Sequence, residues 1–357
     1  MSVDIPALRL QNQRIAGPRR TTPAEIVRHL GAVQAQEYPF AKWGLAVRLG
    51  PDSTDSEIEA AFTEGSILRT HVMRPTWHFV PAEDIGWMQQ LTAPRVRTAM
   101  SSYLRHHGMD AKLLTRSATI IARALEGGAF LTRPELGQRL ARARITLTSM
   151  QLSFVVMHAE IEGIICSGPR RAKQFTYALI NQRAPHQRRL QGDEALAELT
   201  RRFLASHGPA TVRDYVWWSG LKTVDARRGL QIVGAKGFEQ DGVSYWSTES
   251  KGRRSASGVH LLPIYDEYLV SYRDRVAVPH GPSLIGRGST AVSFRHALVI
   301  DGQVAGTWRP EPKNGETVLV VTAMRRLVRP ERDGIETAAA RYGQFLGRPV
   351  SAAVTPG

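Results

Sequence analysis

The sequence predicts an α+β fold in which small helical modules, each closed by a β-hairpin, recur along roughly the first 250 residues, followed by a β-rich region that ends in a helix. Three observations predict it. Helix-entry signals recur ahead of apolar residues at helical spacing, each helical group runs into two short strand-like runs, and the rhythm then gives way to longer strand runs.

The first round begins at TTPAEIVRHLGAVQAQ, where Thr21-Thr22-Pro23 opens a helix carrying Ile26, Leu30 and Val33. A second helix is expected over Asp55–Phe62, and SILRTHVM and TWHFV around Pro75 read as a hairpin. Helix, helix and two-stranded wing is the pattern of a winged helix module, in which a helix enters a groove and the wing grips the flanking backbone. A second round runs through LTRSATIIARAL, FLTRPELGQRLARA and QLSFVVMHAEIEG to the wing IICSGPRRAKQFTYALI. A third runs from DEALAELTRRFLASHG through residues 210–220 and VDARRGLQIVG to VSYWST. The competing reading is a single irregular α+β domain whose short elements imitate repetition. Beyond it, HLLPIYDEYLVSYRDR, AVSFRHALVIDGQVAGTWRP and ETVLVVTAMRRLV are strand-like, with Asp301-Gly302 as a hairpin turn, and RDGIETAAARYGQFLG reads as the closing helix. The expected divisions are a first module with the catalytic junction over 1–100, a second over 101–190, a third over 191–250, and a bracing domain over 251–357.

Charge narrows the partners. The 357 residues carry 47 Lys plus Arg against 32 Asp plus Glu, a formal net charge of +15, spread in short clusters, which suits a folded surface facing a polyanion. Residues 163–190 hold Arg170, Arg171, Lys173, Arg183, Arg188 and Arg189 and no acid, either a phosphate-facing wing or a solubilising patch. Arg69 and Arg74 flank a second acid-free run, RTHVMRPTWHF. Its His71 and His78, with Trp77, either edge a nucleotide-sized recess or pack the hairpin on its helices. Two histidines without a firmly spaced third ligand make a poor metal site, and the single Cys166 supplies neither a disulfide nor a cysteine-rich site, so no metal and no cofactor are expected. No apolar stretch is long enough to cross a bilayer, which with the ordinary N-terminus MSVDIPALRLQNQR leads to a cytoplasmic expectation. The run from Tyr265 to Arg275, dense in opposite charges, serves either as a buried ionic brace or as a DNA contact.

The segment GAVQAQEYPFAKW places Gln34 and Gln36 one residue apart at a helix exit. Positions i and i+2 share a face poorly on a helix but can both face a cleft on an extended linker. Two capping or solvated amides would serve structure alone. A chemical role exists where the leaving group is already cationic: an amide carbonyl can orient water and place its dipole beside oxocarbenium charge, though it cannot abstract a proton from an unactivated substrate.

These motifs in order, GAVQAQEYPFAKW, LRTHVMRPTWHFV, SGPRRAKQFTY, LLPIYDEYLVSYRDR and DGQVAGTWRP, resemble the AlkZ/YcaQ family of winged helix DNA glycosylases over nearly the whole chain. The resemblance implies tandem winged helix modules in a C-shaped arrangement around a basic concave surface. It implies a monofunctional glycosylase acting, as the family does, on cationic N7- or N3-alkylated purines in duplex DNA, including interstrand crosslinks, as a monomer associated with the nucleoid. The glutamine, small or apolar residue, glutamine form of the motif resembles the self-resistance branch, and it assigns Gln34 and Gln36 to water positioning and transition-state stabilisation. Arg69, Arg74, Arg170, Arg171, Lys173, Arg188 and Arg189 are then the expected DNA contacts; His71, Trp77 and His78 edge a lesion pocket; Trp308 and Arg309 belong to a hairpin that could probe a groove. The alternatives are a winged helix regulator, or a protein that binds lesions without cutting the glycosidic bond.

Overall fold

The computed structural model describes residues 2–19, 22–248, 258–279, 285–286, 293–313 and 316–356. After α1 (Ile5–Asn12), the helix α2 (Pro23–Leu30) starts in a capping box between Thr22 and Glu25 and stops at Gly31, whose φ of 82° favours glycine. The chain then forms the two-residue strand β1 (Val33–Gln34), the helices α3 (Tyr38–Ala46) and α4 (Asp55–Glu64), and the hairpin β2 (Ile67–Val72) and β3 (Arg74–Pro81). The antiparallel order is β1-β3-β2, with Gln34 opposite His78. The long helix α5 (Ile85–His106) leads away and runs through residue 100.

The same order of elements returns. It reads α6 (Ala111–Ala124), β4 (Leu131–Thr132), α7 (Arg133–Arg142), α8 (Ser149–Ile161), β5 (Ile165–Ser167) and β6 (Thr176–Leu179), in sheet order β4-β6-β5. After the short α9 (Ile180–Arg183), it reads α10 (Gly192–His207), an isolated bridge of Ala210 to Trp246, α11 (Val212–Ser219), α12 (Thr223–Ile232), β7 (Lys236–Gln240) and β8 (Val243–Ser247). In each round a short first strand pairs with the last strand of the hairpin. Capping boxes at Thr132/Glu135, Thr148/Gln151 and Thr211/Asp214 start α7, α8 and α11.

The remainder comprises β9 (Val259–Leu262), the single turn α13 (Glu267–Val270), a two-residue pair β10 (Ile285–Gly286) and β11 (Ser293–Phe294), β12 (His296–Ile300), β13 (Gln303–Lys313), β14 (Glu316–Ala323), α14 (Arg329–Leu346) and β15 (Val350–Pro356). The main sheet has the order β15-β14-β13-β12-β9, with α14 crossing between the parallel β14 and β15. Asp301-Gly302 makes the expected two-residue turn, with φ of 51° and 79°.

One element adds to the expectation and one changes it. The segment YPFAKWGLA is helical, as α3; almost every side chain from Tyr38 to Ala46 is buried, so it shows no polar face and no clean period. The segment YDEYLV, expected as strand, forms the turn α13 under an Asp266 cap on Tyr268 N. That turn is locked to the first module, because Arg48 and Asp266, each 1% exposed, form a bidentate pair at 2.8 and 2.8 Å. The ionic-brace reading of 265–275 therefore holds for Asp266. Around it, Trp43 packs on Tyr342 and Phe345, so one apolar core joins the first module to the C-terminal sheet.

Asp266→Ala strands a buried guanidinium and is expected to cost about 3–5 kcal/mol. The double replacement Arg48→Met with Asp266→Leu should recover most of that loss, and urea unfolding of the single and paired variants measures both.

Candidate functional site

The glutamines lie on the extended segment that follows α2, and their environments differ. Gln34 is 7% exposed on β1, whereas Gln36 is exposed in the bend before α3. Gln34 is bound at both ends. Its backbone N–H donates to Glu267 Oε1 at 2.7 Å, and its side-chain Oε1 accepts from the Arg74 guanidinium at 3.1 Å. Arg74 also donates to His78 Nε2 at 3.2 Å, which makes His78 Nδ1 the protonated nitrogen that donates to Thr76 O at 2.9 Å. Burial, and then the Arg74 charge, push His78 down to about 3, so the ring is neutral near neutral pH.

Burial would raise the Glu267 carboxyl, but His207, the Arg74 charge and Ser271 outweigh it and hold it at about 2. Trp218 Nε1 donates to the same carboxylate at 3.2 Å, and Ser271 Oγ donates to it closely. The anion thus accepts from Trp218 of α11 and from Ser271 just after α13 while it holds the edge of β1.

Between the two glutamines, Ala35 donates to Trp77 O at 2.7 Å and accepts from Arg69 Nε at 3.0 Å. The Arg69 guanidinium lies between the rings of Trp77 and Phe175, 4.3 and 4.4 Å from their centroids, and burial pushes it down to about 10. These three side chains, with Arg133, Lys173 and Tyr177, line a recess of about 490 Å³ between the first two hairpins. Trp77 Nε1 has no hydrogen-bond partner among the described residues. The structure therefore forms two groups on opposite faces of the β1–β3 pair: Gln34, Arg74 and His78 are hydrogen-bonded together on one, Arg69, Trp77 and Lys173 line the recess on the other, and Arg69 reaches the segment through the Ala35 carbonyl.

Other expected residues fall elsewhere. His71 is buried against Trp77 and hydrogen-bonded to Glu160 of α8, so it joins two modules rather than edging the recess. Trp308 is 2% exposed, donates to Leu262 O and packs on His296; at the tip of its hairpin Asp301 and Gln303 are exposed, while Gly302 is buried and its carbonyl accepts from Tyr268. The groove-probe expectation fails for Trp308 because its large apolar ring completes the C-terminal core. Arg309 is exposed but pairs with Glu311.

The acid-free run is neutralised from a distance. Arg170 meets Glu59, Arg171 meets Glu135, Arg188 meets Asp84 and Glu198, and Arg183 donates to the terminal carbonyls of α4 at Phe62, Thr63 and Glu64. Lys173 and Arg189 are exposed and make no hydrogen bond or ion pair with the described residues. Sequence reasoning missed Glu160; it placed Glu267 in the charge-dense run 265–275 as a candidate brace, but not its bond to the Gln34 backbone. Among the described residues no cluster of three His, Cys, Asp or Glu could hold a metal, and no helix is long and apolar enough to cross a membrane.

A family model described as DNA glycosylase AlkZ-like matches residues 27–345. A protein of Streptomyces sahachiroi named interstrand DNA cross-link repair glycosylase is 26% identical over 362 residues, covering 96% of this chain and 95% of its own. The solved Streptomyces sahachiroi DNA glycosylase AlkZ matches with a TM-score of 0.83 at 23% identity, over 99% of this chain and 98% of that one, which establishes the likeness of fold.

The charge distribution separates two kinds of basic residue. Arg183→Ala, which strips donors from a helix end, is expected to cost about 1–3 kcal/mol of stability. Lys173→Ala combined with Arg189→Ala should leave stability within about 0.5 kcal/mol and lower the salt dependence of duplex DNA binding. Thermal melts and a salt titration of affinity check the pair.

Proposed function

Because the chain belongs to the AlkZ-like DNA glycosylase family, we propose that this hydrolase of N-glycosidic bonds releases cationic N7- or N3-alkylated purines from duplex DNA and unhooks interstrand crosslinks built through the same positions. The observation that carries the reading is the junction itself, where a fixed buried amide, Gln34, and an exposed amide, Gln36, stand one residue apart on a segment whose Ala35 carbonyl is held by Arg69 of a basic, aromatic recess.

The chemistry suits amides. An alkylated purine leaves with the electron pair of the C1′–N bond and becomes neutral, while water supplies the oxygen of the new C1′–O bond and releases its proton to solvent. The site has to orient water and stabilise positive charge at the sugar, and a glutamine oxygen does both without titrating. A strong base is not required. The recess is of a size that holds a small ligand or one nucleotide, with Lys173 at its rim for the phosphate and Trp77 and Phe175 for apolar contact.

In this reading the three repeated units are tandem winged helix modules in a C-shaped array, and the C-terminal sheet braces the first of them. Lys173 and Arg189 are free to meet phosphate, with Arg170, Arg171 and Arg188 available by exchange from their acidic partners. The enzyme acts as a monomer on nucleoid DNA without a cofactor.

Gln34→Ala and Gln36→Ala should each slow base release in single turnover while changing lesion-DNA affinity much less. Loss of one transition-state contact costs roughly 2.7–4 kcal/mol in comparable sites, and the activated leaving group puts the effect near or below the lower end, about 10²-fold. Duplexes carrying 7-methylguanine or an N7-linked crosslink are the substrates; wild-type rates in both variants on every cleaved substrate would remove the catalytic assignment.

Borohydride should trap no protein–DNA adduct during base release, because hydrolysis by water forms no Schiff base. An adduct appearing at the rate of base loss would replace water with an amine nucleophile.

A further inference from the structure

A glutamine amide has chemically different ends of nearly equal size, and a half-turn about its last bond exchanges donor for acceptor. At Gln34 one neighbour decides between them. A guanidinium has only N–H donors, so the end facing Arg74 must be oxygen, as the 3.1 Å contact to Oε1 shows. The alternative rotamer would set NH₂ against N–H and forfeit the bond.

Arg74 is held in turn. His78, the register partner of Gln34, gives its Nε2 lone pair to the same guanidinium nitrogen at 3.2 Å, and its other nitrogen is tied to Thr76 O. Arg74 Nε has no partner, and no carboxylate among the described residues forms an ion pair with the guanidinium, so it is not spent on a salt bridge. The nearby Glu267 anion supports its charge through space while binding the Gln34 backbone. Strand pairing, side-chain oxygen and backbone N–H of Gln34 are therefore fixed by three different groups.

We propose that Arg74, steadied by His78, is a positioning residue for base release: it fixes which end of the Gln34 amide is oxygen and where that oxygen lies, so that its remaining lone pair is held in one orientation to accept from the reacting water. This rests on the reading of Gln34 as catalytic. It replaces the expectation that Arg74 is a phosphate contact, and the two roles leave different traces. A phosphate contact contributes to affinity and to its salt dependence, whereas a positioning residue acts on the rate after the complex has formed.

The experiment compares wild type, Gln34→Ala, Arg74→Met, Arg74→Lys, His78→Phe and His78→Asn on a 7-methylguanine duplex, measuring single-turnover release, duplex affinity at several salt concentrations and thermal stability. Arg74→Met is expected to lower the release rate by roughly 10- to 10²-fold, the scale of a misplaced reacting group, with affinity and salt slope unchanged. Arg74→Lys, which keeps one donor, should recover part of the rate. His78→Phe should reproduce part of the loss, and His78→Asn, which keeps an acceptor, should relieve it. ¹⁵N spectra of histidine-labelled protein should show His78 as the neutral Nδ1–H tautomer in wild type and a changed signal in Arg74→Met. If Arg74→Met does not fold, the comparison of Arg74→Lys with the His78 pair carries the same test. Slow release in Gln34→Ala with wild-type release in the Arg74 and His78 variants overturns the clamp alone. A salt slope lower by about one in Arg74→Met, with weaker affinity, returns Arg74 to the phosphate contacts. Wild-type release in Gln34→Ala overturns the catalytic reading of Gln34 and the clamp with it.

Discussion

The hydrogen bond from Gln34 N to Glu267 is the contact on which the arrangement of the junction depends. A strand of two residues has little pairing of its own, and β1 is an edge strand, bound to β3 on one side. Its buried outer N–H needs a partner away from water. The partner comes from 233 residues along the chain. The carboxylate must itself be satisfied, and Trp218 of α11 and Ser271 after α13 meet that need. The neighbouring Asp266 pairs with Arg48 behind α3. Two adjacent acids thus fasten the exit of α2 and the end of α3 to the C-terminal region, and the position of Gln34 follows from that double attachment.

Most of what was legible in the sequence is local. The helix entries at Thr22-Pro23 and at Thr132 ahead of Pro134, the Asp301-Gly302 turn and the helical spacing of α14 are set by residues a few positions apart, so the sequence displays them directly. The helix α3 was hidden because it is buried nearly all round, and α13 because one turn has no period to read. The glutamine pair was visible as a junction feature; its difference in burial was not, since it depends on the bend after β1. Arg74, expected at a phosphate, is drawn inward by Gln34 and His78, and the latter partner is visible only once β1 and β3 are in register.

The acid-free run shows the same limit for charge. Arg170, Arg171 and Arg188 find their acids on α4, α7, α10 and the turn before α5, so a local count of sign overstates the free positive surface there. Arg183 is consumed by a helix end, where a cation meets the negative end of the dipole. These pairs also tie the second hairpin to the first module and to α10. The net charge of +15 remains a property of the whole chain, but the residues that bring it to a polyanion are fewer and more widely separated than the run suggests.

The side chains around position 34 explain why an amide stands there in place of a carboxylate or a histidine. A carboxylate would accept from Arg74 but would add a second buried anion near Glu267, and the repulsion would raise the pKa of one of them. A histidine would meet the guanidinium with a single lone pair in a ring that cannot follow the same path to it, beside a second imidazole already neutralised by burial and by Arg74. Glutamine accepts from the guanidinium, adds no charge beside the anion that holds its own backbone, and keeps its donors. Electrostatics inside the fold thus selects the uncharged side chain on structural grounds, and a leaving group that carries its own positive charge is the kind of substrate for which such a side chain suffices.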